Sequence, residues 1–322
     1  MARVKRSFFI KTIGLIILVI ILYLVDLTEV GRQLKLSDPL LIAIAIILIL
    51  PQVALRAYRW QKMLALENIN CPFRLALSIY FAGIYIGLMT PGRLGEMAKA
   101  FFLKKRDLAS ISQALPSIIT DRCLDLYCLG LVAAISLHFL GLGGGSPVAG
   151  VLIILAAGGT PWLLIYIWRS GRFSTWVGSL VAKRWGDKWG GTFESFSGGT
   201  KKLISSRMIY MMALTIASYG VYFLQTWLIG RSVGLELNYT TVAMAVSIAI
   251  LIGYVPITIA GLGTREAVLI YVFSQFGVSA ASTLSFAIIY NLVYIVCMGG
   301  VSALFWLTIP RTERFLERPG SG

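Results

Sequence analysis

The feature that most constrains this chain is a series of apolar runs, each long enough to cross a lipid bilayer. The first run, Phe8 to Val25, reads FFIKTIGLIILVIILYLV. A hydrocarbon layer of about 30 Å requires about 20 helical residues, so a run of this kind can span it. The composition agrees, because 57% of the 322 residues are hydrophobic and only 13% are charged, which excludes a soluble globular domain. The sequence predicts an all-α polytopic integral membrane protein, with a single transmembrane domain over 1–322.

Six apolar runs are predicted to cross the membrane completely, and two more are interrupted near their middles. The interrupted runs, about 73–103 and 239–279, are interpreted as re-entrant helical hairpins. In the first of them the returning piece of roughly 11 residues covers only about 17 Å, at about 1.5 Å per residue, which is too short to cross back. The predicted full spans lie at about 8–25, 39–60, 112–140, 148–168, 208–230 and 280–307.

Basic residues assign the two sides of the membrane. Of the 29 lysines and arginines, 22 fall in the N-terminal segment or at 56–74, 104–106, 169–207 and 311–318. Because cytoplasmic loops are enriched in lysine and arginine, both termini are predicted to be cytoplasmic in a multi-pass protein of the cell (plasma) membrane. Residues 169–207 are interpreted as a cytoplasmic interfacial linker. The net charge of +15 is explained by this placement, so no nucleic acid is expected as a partner.

Eight charged residues lie inside the apolar runs and need a separate explanation. Each charge near the bilayer centre costs roughly 2.5–3.5 kcal/mol on insertion scales, so these residues must be paired, hydrated or liganded. We interpret them as substrate-binding residues. The alternative, a purely structural lattice of salt bridges, stays open because four cations face four carboxylates. The eight are Arg93, Glu96, Lys99, Asp121, Arg122, Asp125, Arg265 and Glu266.

The two interrupted runs share a pattern at their tips that suits anion binding. In TPGRLGE, Thr90 can cap a helix whose first residue is Pro91, followed by Gly92. In IAGLGTRE, glycines allow a sharp turn and a threonine can cap a helix that begins with an arginine. A helix N-terminus and an arginine together favour a phosphate oxygen. The second tip consists of Gly261, Gly263, Thr264 and Arg265.

The two halves of the chain are predicted to be an inverted repeat. Alignment of Glu96 with Glu266 also places Asp121 on Asn291, 25 positions further on. Repeat 1 covers about 39–140 and repeat 2 about 208–307, and their hairpins begin on opposite sides of the membrane. Inverted-topology transporters bind their substrate at the midplane where broken helices meet. We therefore expect the two tips to hold one anionic headgroup between them.

At these motifs the sequence resembles the flippase-like family that includes the membrane part of lysylphosphatidylglycerol synthase. The motifs that carry the resemblance are LRAYRW, TPGRLGEMAKAFFL, TDRCLD and PITIAGLGTREA. Two departures are mild: the family tends to have Glu where Asp121 stands and Gly where Ala260 stands. The resemblance implies translocation of lipids with polar headgroups, such as aminoacyl-phosphatidylglycerol. Relatives are also associated with polyprenyl-phosphate glycolipids.

The function predicted from the sequence is that of a lipid translocase, or flippase, rather than of an enzyme. Two alternatives stay open: a membrane-embedded lipid-phosphate transferase with Asp121 or Glu96 as general base, and a non-transporting scaffold of a lipid-synthesis complex. Expected partners are a membrane lipid, a lipid-headgroup synthase or glycosyltransferase, and a second copy in a homodimer. No cofactor or metal is expected, because the four cysteines lack metal-ligand spacing and His138 is the only histidine.

Overall fold

The computed structural model describes residues 19–88, 90, 95–139, 198, 207–254 and 261–308. Within these ranges every regular element is helical and none is a strand, which confirms the all-α prediction for this part of the chain. Several predictions fall outside the described ranges: most of the first span, the span at 148–168, nearly all of the linker at 169–207, and Pro91, Gly92 and Arg93.

Eleven helices are described here, numbered in chain order. They are α1 (Leu27–Lys35), α2 (Pro39–Ile47), α3 (Ile49–Leu66), α4 (Phe73–Leu88), α5 (Ala98–Lys105), α6 (Ile111–Phe139), α7 (Met208–Ser232), α8 (Tyr239–Tyr254), α9 (Thr264–Ser274), α10 (Ala280–Asn291) and α11 (Met298–Thr308). A π-helical segment, Leu292–Cys297, joins α10 to α11. Helices α1 and α2 begin at aspartate caps, because Asp26 and Asp38 each accept hydrogen bonds from two backbone amides of the first turn.

Among the described residues, three helical stretches are long and apolar enough to cross a membrane. They are Pro39–Leu66, which contains α2 and α3, Met208–Ser232, and Ala280–Phe305, which runs from α10 through the π-helical segment. The two interrupted runs of the sequence instead form pairs of shorter helices. Helices α4 and α8 have 16 residues each, which corresponds to about 24 Å at about 1.5 Å per residue. Helix α6 has 29 residues and carries charged side chains near its middle.

The packing of the helices follows a reciprocal pattern between the two halves of the chain. In the first half α5 packs on α6, and in the second half α9 packs on α10. Across the halves, α6 packs on α8 and α11 packs on α4, while α3 packs directly on α7. One large apolar core holds these helices together, with Trp60, Phe81, Phe273 and Phe286 completely buried.

Close glycine contacts bring the two helices of each short pair together. A Cβ atom at Gly95 would lie 2.5 Å from the backbone oxygen of Ile86, and one at Gly87 would lie 2.8 Å from Cγ of Glu96. In the second pair a Cβ atom at Gly261, which has a φ of +77°, would lie 3.0 Å from Cα of Gly253. Only glycine fits such approaches without displacing the neighbouring atoms, which are backbone at Gly95 and Gly261 and a Glu96 side-chain atom at Gly87. These contacts place the chain before α5 and α9 against the ends of α4 and α8.

Candidate functional site

The centre of the first half is a fully buried network of charges around Arg59 of α3. The Nε and Nη2 atoms of Arg59 donate to Oδ1 of Asp121 over 3.0 and 2.6 Å, and Nη2 also reaches Oδ1 of Asp125 at 2.8 Å. Its Nη1 atom donates to the hydroxyl of Thr215 over 2.6 Å. The Arg59 and Asp121 side chains are 0% exposed. This arginine therefore ties α3, α6 and α7 together.

The second carboxylate oxygen of Asp121 is occupied as well. It accepts from Nζ of Lys99 over 3.1 Å and from the hydroxyl of Tyr80 over 3.0 Å. The Lys99 ammonium also lies 4.2 Å from the ring centroid of Tyr80 and 5.2 Å from that of Trp60, a favourable cation–π arrangement. Asp121 is consequently surrounded by donors on both oxygens, and the pairing offsets the cost of burying its charge.

Glu96 links the turn before α5 to α6. Its Oε1 atom accepts from Nη1 of Arg122 over 3.1 Å, and its Oε2 atom lies 4.0 Å from Nζ of Lys99. The guanidinium of Arg122 in turn lies 5.4 Å from the ring centroid of Tyr254 on α8. Through Glu96 and Lys99, the pair of helices α4 and α5 is thus connected to Arg122 of α6, and Arg122 in turn contacts α8.

The corresponding contacts in the second half involve Glu266 and Asn291. Glu266 accepts from the backbone amide of Gly263 over 2.6 Å, from Nη2 of Arg265 over 3.0 Å and from Nδ2 of Asn291 over 3.1 Å. Arg265 also donates to Oδ1 of Asn291. Glu96 therefore contacts α6 at Arg122, next to Asp121, and Glu266 contacts α10 at Asn291, the position aligned with Asp121.

The predicted cap of α9 is wrong in its detail. Gly263, with a φ of +85°, is the N-cap residue, and Thr264 is already inside the helix. The Thr264 hydroxyl donates to the backbone oxygen of Gly261 over 3.1 Å, while Glu266 satisfies the Gly263 amide as a capping carboxylate does. In the first half, Thr90 does accept from a backbone amide, that of Gly95, over 2.7 Å. The described helical turn there begins at Gly95.

A cavity lies beside this network, where both halves of the chain contribute side chains. The cavity and the open space at its mouth amount to ≈ 690 Å³. The lining includes two arginines, Arg56 of α3 and Arg265 of α9, and five tyrosines. The tyrosines are Tyr219, Tyr222, Tyr254, Tyr290 and Tyr294. A set of hydrogen-bond donors and aromatic rings therefore faces a space inside the helical bundle.

Both arginines keep donor capacity for a ligand. Arg56 is 5% exposed and Arg265 is 6% exposed, and the buried Nε atom of each has no hydrogen-bond partner among the described residues. Arg56 approaches Asp125 only to 3.9 Å, and its guanidinium lies 4.8 Å from the ring centroid of Tyr219. The guanidinium of Arg265 lies 4.7 Å from the ring centroid of Tyr290. A buried donor without a partner is costly, and an anion in the cavity would remove that cost.

The predicted binding and helix-tip residues lie in different environments in the structure. Arg265 and Thr90 line the cavity, whereas Lys99, Asp121 and Asp125 lie in the buried charge network. Glu96 and Arg122 form an ion pair that joins the turn before α5 to α6, whereas Glu266 pairs with its neighbour Arg265 and accepts a hydrogen bond from Asn291 of α10. Gly261 and Gly263 adopt positive φ angles before α9.

Sequence reasoning missed Arg56 and Arg59. In the sequence they stand among the basic residues that indicate the cytoplasmic side, and in the structure both side chains are buried in α3. Their spacing of three residues within LRAYRW places them on one helix face, and this was the signal available in the sequence. Their inclusion also changes the balance of charge, since the described members of this intramembrane set are five cations and four carboxylates. The cations are Arg56, Arg59, Lys99, Arg122 and Arg265, and the carboxylates are Glu96, Asp121, Asp125 and Glu266.

Among the described residues, no group of three or more His, Cys, Asp or Glu side chains could hold a metal ion. The donors that line the cavity suit an anion instead. Arginine offers planar, charge-assisted hydrogen bonds that match phosphate and carboxylate oxygens.

Comparison with known proteins places this architecture among membrane proteins. Residues 11–300 match the family described as the lysylphosphatidylglycerol synthase TM region. A UPF0104 membrane protein of Methanothermobacter thermautotrophicus is 21% identical, with 95% of this chain and 97% of the relative aligned. A UPF0104 membrane protein of Pyrococcus horikoshii is 25% identical, with 93% of this chain and 97% of the relative aligned. One of Methanocaldococcus jannaschii is 23% identical, with 88% of this chain and 90% of the relative aligned.

Proposed function

The chain belongs to the family of the lysylphosphatidylglycerol synthase transmembrane region, and from that premise we propose that it is a lipid translocase. It moves a lipid with an anionic or zwitterionic headgroup between the two leaflets of the membrane. Aminoacyl-phosphatidylglycerol and polyprenyl-phosphate glycolipids are the headgroup types to consider. The chain acts without catalysing a covalent reaction, in the plasma membrane and with both termini in the cytoplasm.

The observation that carries this proposal is the cavity between Arg56 and Arg265. Charged side chains inside membrane segments are costly and mostly mark substrate pathways. Here two buried arginines from different halves of the chain line one space, and the Nε atom of each has no hydrogen-bond partner in the part of the chain that the structure describes. A headgroup phosphate that enters the cavity would accept those hydrogen bonds while its acyl or prenyl chains remain in the lipid.

The packing of the helices supports an inverted repeat as the transport scaffold. The reciprocal contacts of α6 with α8 and of α11 with α4 are those expected when each half wraps around the hairpin of the other. Helices α4 and α8 are short, which favours re-entrant hairpins with tips inside the bilayer. In transporters built this way, one half rocks against the other and exposes the central site to each side in turn.

The charge network supports a structural role for much of the intramembrane charge. Both oxygens of Asp121 are occupied by Arg59, Lys99 and Tyr80, an arrangement that holds helices together and disfavours Asp121 as a general base. The headgroup site is therefore assigned to the cavity arginines rather than to the acids. A lipid-headgroup synthase or glycosyltransferase would supply or use the transported lipid.

Reconstitution into liposomes tests the proposal. Vesicles are prepared with tail-labelled fluorescent phosphatidylglycerol, and dithionite is added outside to bleach the accessible label. In protein-free vesicles only the outer leaflet bleaches, and we expect both leaflets to bleach when the protein is present. A new covalent lipid product would instead favour a transferase, and absence of both movement and product would favour a scaffold.

A further inference from the structure

We propose that the cavity selects lipid phosphate anions that carry no ammonium group. Phosphatidylglycerol fits this class, and so do lipid phosphates that carry an uncharged sugar. Phosphatidylethanolamine, phosphatidylserine and lysyl-phosphatidylglycerol do not. The inference rests on the proposed function, because it concerns the headgroup site of the same cavity. It narrows the anionic or zwitterionic headgroups considered above to anionic ones without a cationic substituent.

The first argument is the chemistry of the lining. The described residues that line the cavity include two arginines and five tyrosines but no aspartate or glutamate. An ammonium group has three donors and no acceptor, and it is bound most strongly by carboxylate oxygens, whereas the hydroxyls of this lining are neutral acceptors. A phosphate needs donors, and the guanidinium groups of the lining residues Arg56 and Arg265 are charged donors. The charge of the lining therefore favours the phosphate of a headgroup over an ammonium group.

The second argument concerns the carboxylates nearest to the cavity. Asp125 accepts from Arg59 over 2.8 Å, and Glu266 accepts from Gly263, Arg265 and Asn291. Glu96 pairs with Arg122 over 3.1 Å. To receive a substrate ammonium, one of these acids would have to release a buried cation, and breaking a buried pair costs several kcal/mol. The neighbouring acids are thus committed to the protein's own donors.

The third argument concerns the aromatic rings. Tyrosine faces can bind an ammonium group through cation–π attraction, and a ring of tyrosines would otherwise suggest that use. Here three of the five rings already carry a guanidinium: Arg56 lies over Tyr219, Arg265 over Tyr290 and Arg122 over Tyr254. Tyr290 and Tyr294 also stack on each other with centroids 5.6 Å apart. An ammonium group in the cavity would meet like charge at these rings.

Binding competition measures this selectivity without requiring transport. The full-length protein is purified in detergent and loaded with tail-labelled phosphatidylglycerol, whose fluorescence anisotropy reports binding. Unlabelled competitors with matched acyl chains are phosphatidylglycerol, phosphatidylethanolamine, phosphatidylserine and lysyl-phosphatidylglycerol, together with inorganic phosphate. We expect phosphatidylglycerol to compete at a concentration at least about tenfold lower than any other competitor, a difference of about 1.4 kcal/mol.

Phosphatidylserine is the decisive competitor, because it has the same net charge as phosphatidylglycerol and also carries an ammonium group. Equal competition by the two lipids would overturn the inference, since net charge alone would then account for binding. Equal competition by inorganic phosphate would overturn the lipid assignment. The selectivity and the proposed translocation are tested by different results. If the selectivity is observed but labelled lipid does not cross the reconstituted membrane, translocation is wrong and the selectivity stands.

Matched variants locate the selectivity in the cavity. Arg56→Gln should weaken binding of phosphatidylglycerol by about tenfold and abolish its advantage over phosphatidylserine. Lys62→Gln removes a cation from the same helix without touching the cavity. It should retain the parent affinity for phosphatidylglycerol and the advantage over phosphatidylserine. If Arg56→Gln retains the advantage, the assignment to this cavity is wrong. If that variant does not fold, the competition series on the unmodified protein decides alone.

Discussion

At the scale of single residues, two arginines on one helix face have different roles. Arg59 donates to Asp121, Asp125 and Thr215, so its charge is compensated by the protein itself. Arg56, one turn earlier, lies 3.9 Å from Asp125 and over the ring of Tyr219, and its buried Nε atom has no hydrogen-bond partner among the described residues. The contrast separates a residue that holds the fold together from one that is available to a ligand.

Neutralising Asp121 should destabilise the protein strongly. Asp121→Asn removes the charge that Arg59 and Lys99 share in a fully buried position, and loss of one partner from a buried pair costs about 3–5 kcal/mol. We expect a clearly lower midpoint of thermal unfolding in detergent. Asp26→Asn is the matched control, because Asp26 caps an exposed helix start and asparagine caps equally well. Equal midpoints for the two variants would show that the network contributes little to stability.

Sequence reasoning could identify the acids at residues 121 and 125 but not their partners. Charge in an apolar run is visible in the sequence, and its cost predicts that a partner exists. The partner, Arg59, lies 62 and 66 residues away in the chain, so no local spacing indicates it. Its position near the predicted end of a span also resembled an ordinary cytoplasmic arginine.

At the scale of elements, the two short helix pairs depend on close backbone approaches. The sequence predicted both interruptions correctly, because proline, glycine and charge cluster there. It did not predict which group caps α9, since a threonine before an arginine fits the usual pattern of a cap. The acid three residues after Gly263 takes that role instead, and a positive φ at Gly263 turns the chain so that it can.

Gly95→Ala should disrupt the first helix pair. The added Cβ atom would lie 2.5 Å from the Ile86 carbonyl oxygen, which is backbone and cannot rotate away. Overpacking of this kind typically costs about 1–3 kcal/mol, so we expect a lower unfolding midpoint and reduced lipid movement.

Gly130→Ala is the control for this substitution, because a Cβ atom at Gly130 in α6 would meet nothing within 4 Å. Alanine is also the better helix former by up to about 1 kcal/mol, so this variant should be as stable as the parent or more so. The close approach of α4 to the chain before α5 would be disproved if Gly95→Ala were equally stable.

At the scale of the whole molecule, the inverted repeat predicts that equivalent residues of the two hairpins face opposite sides of the membrane. Lys105 at the end of α5 and Gln275 just after α9 occupy equivalent positions when Glu96 is aligned with Glu266, and both are exposed. In a background without the four native cysteines, Lys105→Cys should react with a membrane-impermeant maleimide from the cytoplasmic side only. Gln275→Cys should react from the opposite side only. Labelling of both from one side would exclude the inverted arrangement.

The architecture could be predicted from the sequence further than the site could. Hydrophobic length predicts helices, and the described helices agree with the predicted apolar runs within a few residues at 112–140, 208–230 and 280–307. The cavity depends on side chains from α3, α7, α8, α9 and α10, which only tertiary packing brings together. Its tyrosines also resemble ordinary core residues in the sequence.

The most direct test of the account is the rate at which labelled phosphatidylglycerol crosses liposomes that contain cavity variants. We predict that Arg56→Gln and Arg265→Gln each reduce the initial rate at least about tenfold, the equivalent of about 1.4 kcal/mol in the barrier, although both variants remain folded. In liposomes with Lys62→Gln, which removes a cation from the same helix as Arg56, labelled phosphatidylglycerol should cross at the parent rate. Parent rates in both arginine variants would contradict the claim that this cavity holds the headgroup in transit.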